Sequence, residues 1–253
     1  MNVAIIPARG GSKRIPGKNI KEFAGRPIIA YSINAAKQSG LFDRIIVSTD
    51  SEQIAQVARN EGAEVPFMRP AELSDDHTPT APVLKHAVDW LQEDGGQVDY
   101  FCCIYPTAPF IRPGDLQDAF EILCKENASE VFPVTTFDFC IFRGLKATQN
   151  QGYEMIWPEN ELVRSQDFPE ALHDAGQFYM FDSRIFLGRK KMWDPDAIIL
   201  KIPRYLVQDI DTQEDWKIAE IFYEVCKKKG LLLCLQSITV PTQMYPVSKN
   251  ETF

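Results

Sequence analysis

Four cations stand in one short glycine-containing segment near the start of the chain: Arg9, Lys13, Arg14 and Lys18, within IPARGGSKRIPGKN at residues 6–19. They follow the apolar run Val3-Ala4-Ile5-Ile6, which reads as a buried strand. Glycines let backbone N–H groups approach phosphate oxygens with no Cβ in the way, and the cations neutralise charge that a few amides alone could not. The chemistry this predicts is polyphosphate binding. The segment is not a Walker A loop, because Ser12 stands where the first glycine is required and Asn19 replaces the metal-binding Ser or Thr. Nor is it the dinucleotide fingerprint. A plain surface turn with solvated charges is the ordinary alternative. Its place after the first strand favours a site, since ligands of open α/β sheets bind outside the carboxyl ends of the strands.

A second constellation is Asp209-Ile210-Asp211. In an extended segment, residues two apart share a face, so these carboxylates lie close together and repel unless a cation sits between them. The arrangement suits Mg²⁺, which takes one or two protein carboxylates and completes its octahedron with phosphate oxygens and water. The alternative is that Asp211 merely caps a helix at Thr212 while Asp209 is solvated. A third stretch, from Met68 to Thr80, is explained by loop chemistry, with Thr78 as cap and Pro79 as first residue of a helix. His77 within it is expected to be exposed. His173, in the segment HDAGQFY, is the better histidine candidate for a substrate-side role.

The elements that must position these residues follow from periodicity. Strand-like runs at 3–6, 44–48, 64–67, 99–104 and 130–135 alternate with helical patterns at 27–38, 51–61, 79–93 and 114–126, the signature of a parallel sheet covered on both faces. Leu116, Ala119, Phe120 and Leu123 mark the sheet-facing side of one helix. Residues 137–174 break the alternation with mixed aromatics, prolines and charges, and read as an excursion from the sheet. Strands return at 178–181 and 197–202. A last helix begins at Thr212 with a box to Asp215, shows Trp216, Ala219, Phe222 and Val225 on one face, and ends before Gly230. The remaining residues carry no clear period.

Composition bounds the classes. A chain of 253 residues, 45% hydrophobic and 25% charged, builds a globular core. The net charge of −8 argues against nonspecific nucleic-acid binding, so the cationic loop is a local concentration aimed at a small anion. No apolar run approaches the ~18 residues of a membrane span. The six cysteines lack any C-x-x-C pair and read as reduced core residues, and a cytoplasmic protein is expected.

Taken together, IPARGGSKRIPGKN, FDRIIVSTDSEQIA, RPAELSDD, YPTAPF and QDIDTQEDWKIAE resemble, in order over residues 1–228, the cytidylyltransferases that activate nine-carbon 2-keto acids, the CMP-sialic acid synthetase family. The resemblance implies a three-layer αβα Rossmann-like nucleotidyltransferase fold over residues 1–229. It makes 137–174 a dimerisation arm of a homodimer and leaves the tail at 230–253 without a role. It implies that Ala8, Arg9, Gly10, Gly11, Ser12, Lys13, Lys18 and Asn19 hold the triphosphate of CTP, that Arg69 and Thr80 hold the cytosine and ribose, and that Asp209 and Asp211 bind Mg²⁺. Tyr105, Gln177, Phe178 and Tyr179 fall on the sugar side, with Arg143 and Arg164 reaching the sugar carboxylate in trans. Asp209, Asp211, Arg9 and Lys18 are the expected catalytic set, for in-line attack of the anomeric hydroxyl on the α-phosphate. Sialic acid enzymes carry Gln-Pro-Thr-Ser-Pro where this chain has Tyr105-Pro106-Thr107-Ala108-Pro109. That departure, with HDAGQFY, is similar to the branch acting on pseudaminic acid. Sialic, legionaminic and Kdo acids stay open as substrates, as does a metal-dependent glycosyltransferase, which also carries an Asp-x-Asp but has little need of four loop cations.

Overall fold

The computed structural model describes residues 1–189, 192, 194 and 196–232. Its centre is a seven-stranded sheet. The first strand, β1 (Asn2–Pro7), lies inside the sheet. Two short strands, β2 (Glu22–Phe23) and β3 (Arg26–Pro27), follow as a separate hairpin, and β4 (Arg44–Ser48) then returns beside β1 at the sheet edge. The chain next crosses to the other side of β1 as β5 (Tyr100–Ile104) and goes on to β6 (Glu130–Thr136). A second small hairpin, β7 (Leu145–Ala147) with β8 (Tyr153–Met155), precedes β9 (Leu172–Asp174), β10 (Phe178–Asp182) and β11 (Ile198–Lys201). The order is β11-β6-β10-β5-β1-β4, with β9 on the remaining part of β6. β4, β1, β5, β6 and β11 run parallel, whereas β9 and β10 run against their neighbours.

Side chains that alternate along the strands build two cores. Ala4, Ile6, Cys102, Ile104, Val131 and Met180 face helices α1 (Ile29–Ser39), α2 (Glu52–Asn60) and, after α3 (Thr80–Glu93), α4 (Pro113–Lys125). Val3, Ile5, Phe101, Cys103, Phe132 and Phe181 face α3 and the short α5 (Ser183–Arg189). The doubly covered α/β architecture is therefore as expected. A third cluster lies off the sheet: Ile15, Phe23, Ile28, Phe110, Leu206 and Ile210 pack on Trp216 and Ala219 of α6 (Gln213–Lys228). This cluster anchors the cationic loop through Ile15 and the Asp-x-Asp segment through Ile210, both fully or almost fully buried.

Several local expectations are corrected. Residues 64–67 form no regular strand; only the isolated bridges Ile46↔Glu64 and Thr49↔Met68 flank them, and Pro66 lacks the N–H that a ladder needs. Pro27 does not open α1, because the left-handed residues Ala24 (φ 45°) and Gly25 (φ 90°) close a tight hairpin that pairs Pro27 with Glu22. α3 starts at Thr80 with no side-chain cap, since the Thr78 hydroxyl is taken by the Asp75 carboxylate at 2.7 Å. Thr212 and Asp215 form the full capping box of α6. The buried stripe of α6, however, is Trp216, Ala219 and Cys226, with Phe222 and Val225 exposed. That helix carries apolar residues on two sides, so periodicity alone could not select one. Cys102, Cys103 and Cys226 are buried and Cys140 half-buried, but Cys124 is exposed, and all five are free thiols. The excursion ends earlier than 174, because His173 pairs with Thr135 inside the sheet. Of the tail, residues 233–253 lie outside the described residues. Among the described residues no helix is long and apolar enough to cross a membrane.

Candidate active site

Two adjoining cavities open at the carboxyl ends of β1, β5 and β6, where the chain switches from one side of β1 to the other. The smaller, about 520 Å³, is lined by Arg9, Ser12, Lys13, Arg14, Lys18, Asn19, Arg69 and Asp211 among others. The larger, about 990 Å³, is lined by His173, Asp174, Gly176, Tyr179, Arg204 and Asp209 among others. Thr80, Tyr105 and Thr107 belong to both walls.

The loop that lines the smaller cavity is held by its backbone. Ala8 continues the strand by donating its N–H to Ser48 at 2.9 Å, and the Asn19 amide donates to the Arg9 carbonyl at 2.9 Å. Gly10 passes so close to Ser51 that an added Cβ would lie 3.1 Å from the Ser51 Cβ, while its N–H donates to Asp50 Oδ1 at 2.8 Å. Gly17, at φ +63°, turns the chain into the short 3₁₀ segment Lys18–Ile20. Gly11 meets nothing where a Cβ would stand, and Ser12 donates its N–H to Gly10. Each cation of the loop meets a carboxylate. Arg9 Nη1 is 2.8 Å from Asp76, which also takes Lys13; Arg14 and Lys18 meet Asp211 at 2.7 and 3.4 Å. Lys18 also donates to the Ile210 carbonyl at 2.7 Å.

Arg69 is the buried member. Its side chain is 3% exposed, its Nε donates to Ser74 at 3.1 Å, and its Nη2 lies 3.6 Å from Asp50 without a hydrogen-bond partner. Burial lowers its proton affinity, against the pull of Asp50. A buried guanidinium donor on a cavity wall costs free energy until an acceptor meets it, which is the character of a ligand-binding group.

Asp209 and Asp211 flank the buried Ile210 and straddle the two cavities, Asp209 on the larger and Asp211 on the smaller. Asp211 does not cap α6; Thr212 does, and Asp211 instead engages the loop cations. The Asp209 carboxyl is pushed above the usual range, first by burial and then by the charge of Asp211, while Lys18 opposes the shift. Two neighbouring carboxylates at the junction of the cavities are a fitting donor set for a hard divalent cation. Among the described residues no group of three or more His, Cys, Asp or Glu forms a closed cage.

In the larger cavity, Tyr179 donates its hydroxyl to Asp174, and burial pushes its own ionisation far up. Tyr105 packs edge-on to Tyr179 with ring centroids 5.6 Å apart. His173 packs at a tilt against Phe137, ring centroids 4.7 Å apart, and places Nδ1 at 2.8 Å from the Asp174 carbonyl, so Nδ1 carries the hydrogen of that bond. Arg204 brings a guanidinium to this wall, 3.2 Å from Asp138 and donating to the Phe137 carbonyl at 3.3 Å. Gln177 and Phe178 are not on the lining: Phe178 is wholly within the core, and the Gln177 amide donates to the Leu206 carbonyl at 2.5 Å. Arg143 and Arg164 stay within the excursion, on the Val163 carbonyl and on Asp167. His77 remains in an exposed loop. Reading the sequence for phosphate binders missed Asp50, Asp76, Asp138, Asp174 and Arg204. Four of these are acids near a predicted anion site, and only the pairing of each with a cation or hydroxyl across the fold shows their use.

Comparison with known proteins accords with this geometry. A sequence profile described as cytidylyltransferase matches residues 3–229. A pseudaminic acid cytidylyltransferase of Campylobacter jejuni is 41% identical over 224 residues, covering 88% of this chain and 97% of the relative. A CMP-N,N'-diacetyllegionaminic acid synthase of Legionella pneumophila is 33% identical over 230 residues, covering 88% of this chain and 96% of the relative. Among solved structures, a CMP:2-keto-3-deoxy-manno-octonic acid synthetase complexed with CTP shares the fold at 15% identity, with a TM-score of 0.64 over 90% of this chain and 99% of that one.

Proposed function

From the premise that the chain belongs to the cytidylyltransferase family, we infer that it joins CTP to pseudaminic acid, a nine-carbon 2-keto sugar acid, giving the CMP-sugar and pyrophosphate. The observation that carries this reading is the carboxylate pair standing astride two cavities, one cationic and sized for a nucleotide, the other larger and walled by hydroxyl, carboxylate and guanidinium groups. CTP enters the smaller cavity with its triphosphate on Arg9, Ser12, Lys13, Arg14 and Lys18. Arg69, whose Nη2 has no hydrogen-bond partner beyond its 3.6 Å ion pair with Asp50, offers that donor to an acceptor on the cytosine side. The sugar enters the larger cavity beside Tyr105, Asp174, Tyr179 and Arg204, and its anomeric hydroxyl points toward the junction. Its oxygen bonds to the α-phosphorus and gives up its proton to water, while the bond from that phosphorus to the β-phosphate bridge breaks and pyrophosphate leaves with the electron pair. Positioning and neutralisation of charge carry the catalysis. Asp209 and Asp211 are the residues that would hold Mg²⁺, which when bound supplies further neutralisation of the phosphate charge. The excursion, which exposes Phe139, Leu145, Tyr153 and Leu162, is the contact through which two copies form a homodimer.

Pyrophosphate release tests the reading: CTP and Mg²⁺ with pseudaminic, N-acetylneuraminic and Kdo acids in parallel, and UTP as nucleotide control. Release with pseudaminic acid and CTP is expected. Release with a different acid alone would keep the reaction and replace the substrate, and no release with any acid would overturn the reading.

A further inference from the structure

The adjacent acids Asp75 and Asp76 both line the nucleotide cavity, although that cavity is built for an anion. They act differently. Asp75 fixes its own loop: its Oδ1 accepts the N–H groups of His77 at 2.9 Å and Thr78 at 2.6 Å and the Thr78 hydroxyl at 2.7 Å. Its carbonyl accepts from Arg9 Nη1 at 2.9 Å. With the loop fixed, Asp76 is aimed across the cavity, with Oδ1 at 2.8 Å from Arg9 Nη1 and Oδ2 on Lys13. Lys13 is 81% exposed and free to extend into water, yet it lies on Asp76. Asp211, which also lines this cavity, takes Arg14 and Lys18. Four loop cations are thus satisfied by two carboxylates in the way a polyphosphate would satisfy them.

The geometry points to Asp76 as a stand-in anion: a positioning residue that keeps Arg9 and Lys13 turned into the cavity, yields them to the incoming triphosphate, and takes them back as pyrophosphate leaves. The inference rests on the reading of this cavity as the CTP site. Exposed ion pairs are individually weak and exchange readily, so the handover meets little resistance. Because Asp76 competes with phosphate oxygens for the same two cations, it weakens the hold on pyrophosphate and so speeds release. An acid that served only to brace the loop would act in the opposite sense, since removing it would loosen the cations and weaken anion binding.

The test is calorimetric titration of the full chain and its Asp76→Asn and Asp76→Glu variants with CTP and with inorganic pyrophosphate, without sugar acid, followed by pyrophosphate inhibition of turnover. Asp76→Asn is expected to bind pyrophosphate roughly threefold to tenfold more tightly and to be inhibited at correspondingly lower concentration. Asp76→Glu, which restores the carboxylate, is expected to stay near the wild type. Equal or weaker pyrophosphate binding by Asp76→Asn would overturn the inference while leaving the CTP site intact. Failure of the wild type to bind either CTP or pyrophosphate would instead overturn the reading of the cavity, and the inference with it.

Discussion

Glu130 occupies the start of β6, where it is 2% exposed and its Oε1 has no hydrogen-bond partner. Burial, and behind it the charge of Asp174, pushes its carboxyl from 4.5 up to about 8. The folded protein therefore binds a proton here that the unfolded chain releases. With the folded pKa above the unfolded one, stability is highest below pH 4.5, falls as pH rises between the two values, and levels off above about 8. At about 1.4 kcal/mol for each unit of separation, Glu130 costs about 1 kcal/mol at pH 5 and about 4 kcal/mol at pH 8. Glu130→Gln keeps the shape and removes the titration, but it buries amide donors that cost about 1–3 kcal/mol when unmade. The two stability curves should cross: the variant is equal to or weaker than the wild type at pH 5 and stronger by about 1–3 kcal/mol at pH 8. Urea unfolding at both pH values measures this. A difference between variant and wild type that does not move with pH, or a variant that is weaker at pH 8, would refute the picture of a neutral acid forced into the core.

Asp211→Asn should lower kcat by about two orders of magnitude or more with an unchanged unfolding transition, because it removes charge at the junction of the cavities; activity within threefold of the wild type would take the residue out of the mechanism. Lys18→Ala deletes a mostly buried ammonium that reaches both Ile210 and Asp211 and should weaken CTP binding roughly tenfold or more. Unchanged CTP affinity in a titration would count against the triphosphate assignment. Since Asp209 binds its proton more tightly than an ordinary carboxylate, and must be ionised to hold a cation, the acid limb of kcat/KM should fall at a higher pH than for an isolated aspartate. An acid limb at the ordinary position would mean that Asp209 is not the group being titrated.

The cationic loop was legible because its signal is local: a strand, then glycines, then four charges within ten positions. The same holds for the Asp-x-Asp pair and the α6 capping box, each contained in a few adjacent residues. What lay hidden depends on long-range pairing. Nothing in FYMFD announces that β10 runs antiparallel between β5 and β6, since both orientations bury the same apolar run. Nor does the acidity of residues 75–76 reveal that one acid ties down its loop and the next reaches Arg9 and Lys13. Pro27 and Thr78 misled for a local reason, because each is a good helix-start residue that the hairpin and the Asp75 turn used otherwise. Phe178 lies in the segment that the resemblance puts on the sugar side, and strand alternation turns it into the opposite core from Tyr179.

In the proposed reaction a hydroxyl from the larger cavity attacks the α-phosphorus of a nucleotide held in the smaller one. Turnover of the sugar acid carrying ¹⁸O in its anomeric hydroxyl, followed by ³¹P spectroscopy of the product, tests it directly. The label should be retained in the bridge between sugar and phosphorus and the pyrophosphate should be unlabelled; a product whose bridge has lost the label, or release of a nucleoside diphosphate in place of pyrophosphate, would rule out this attack.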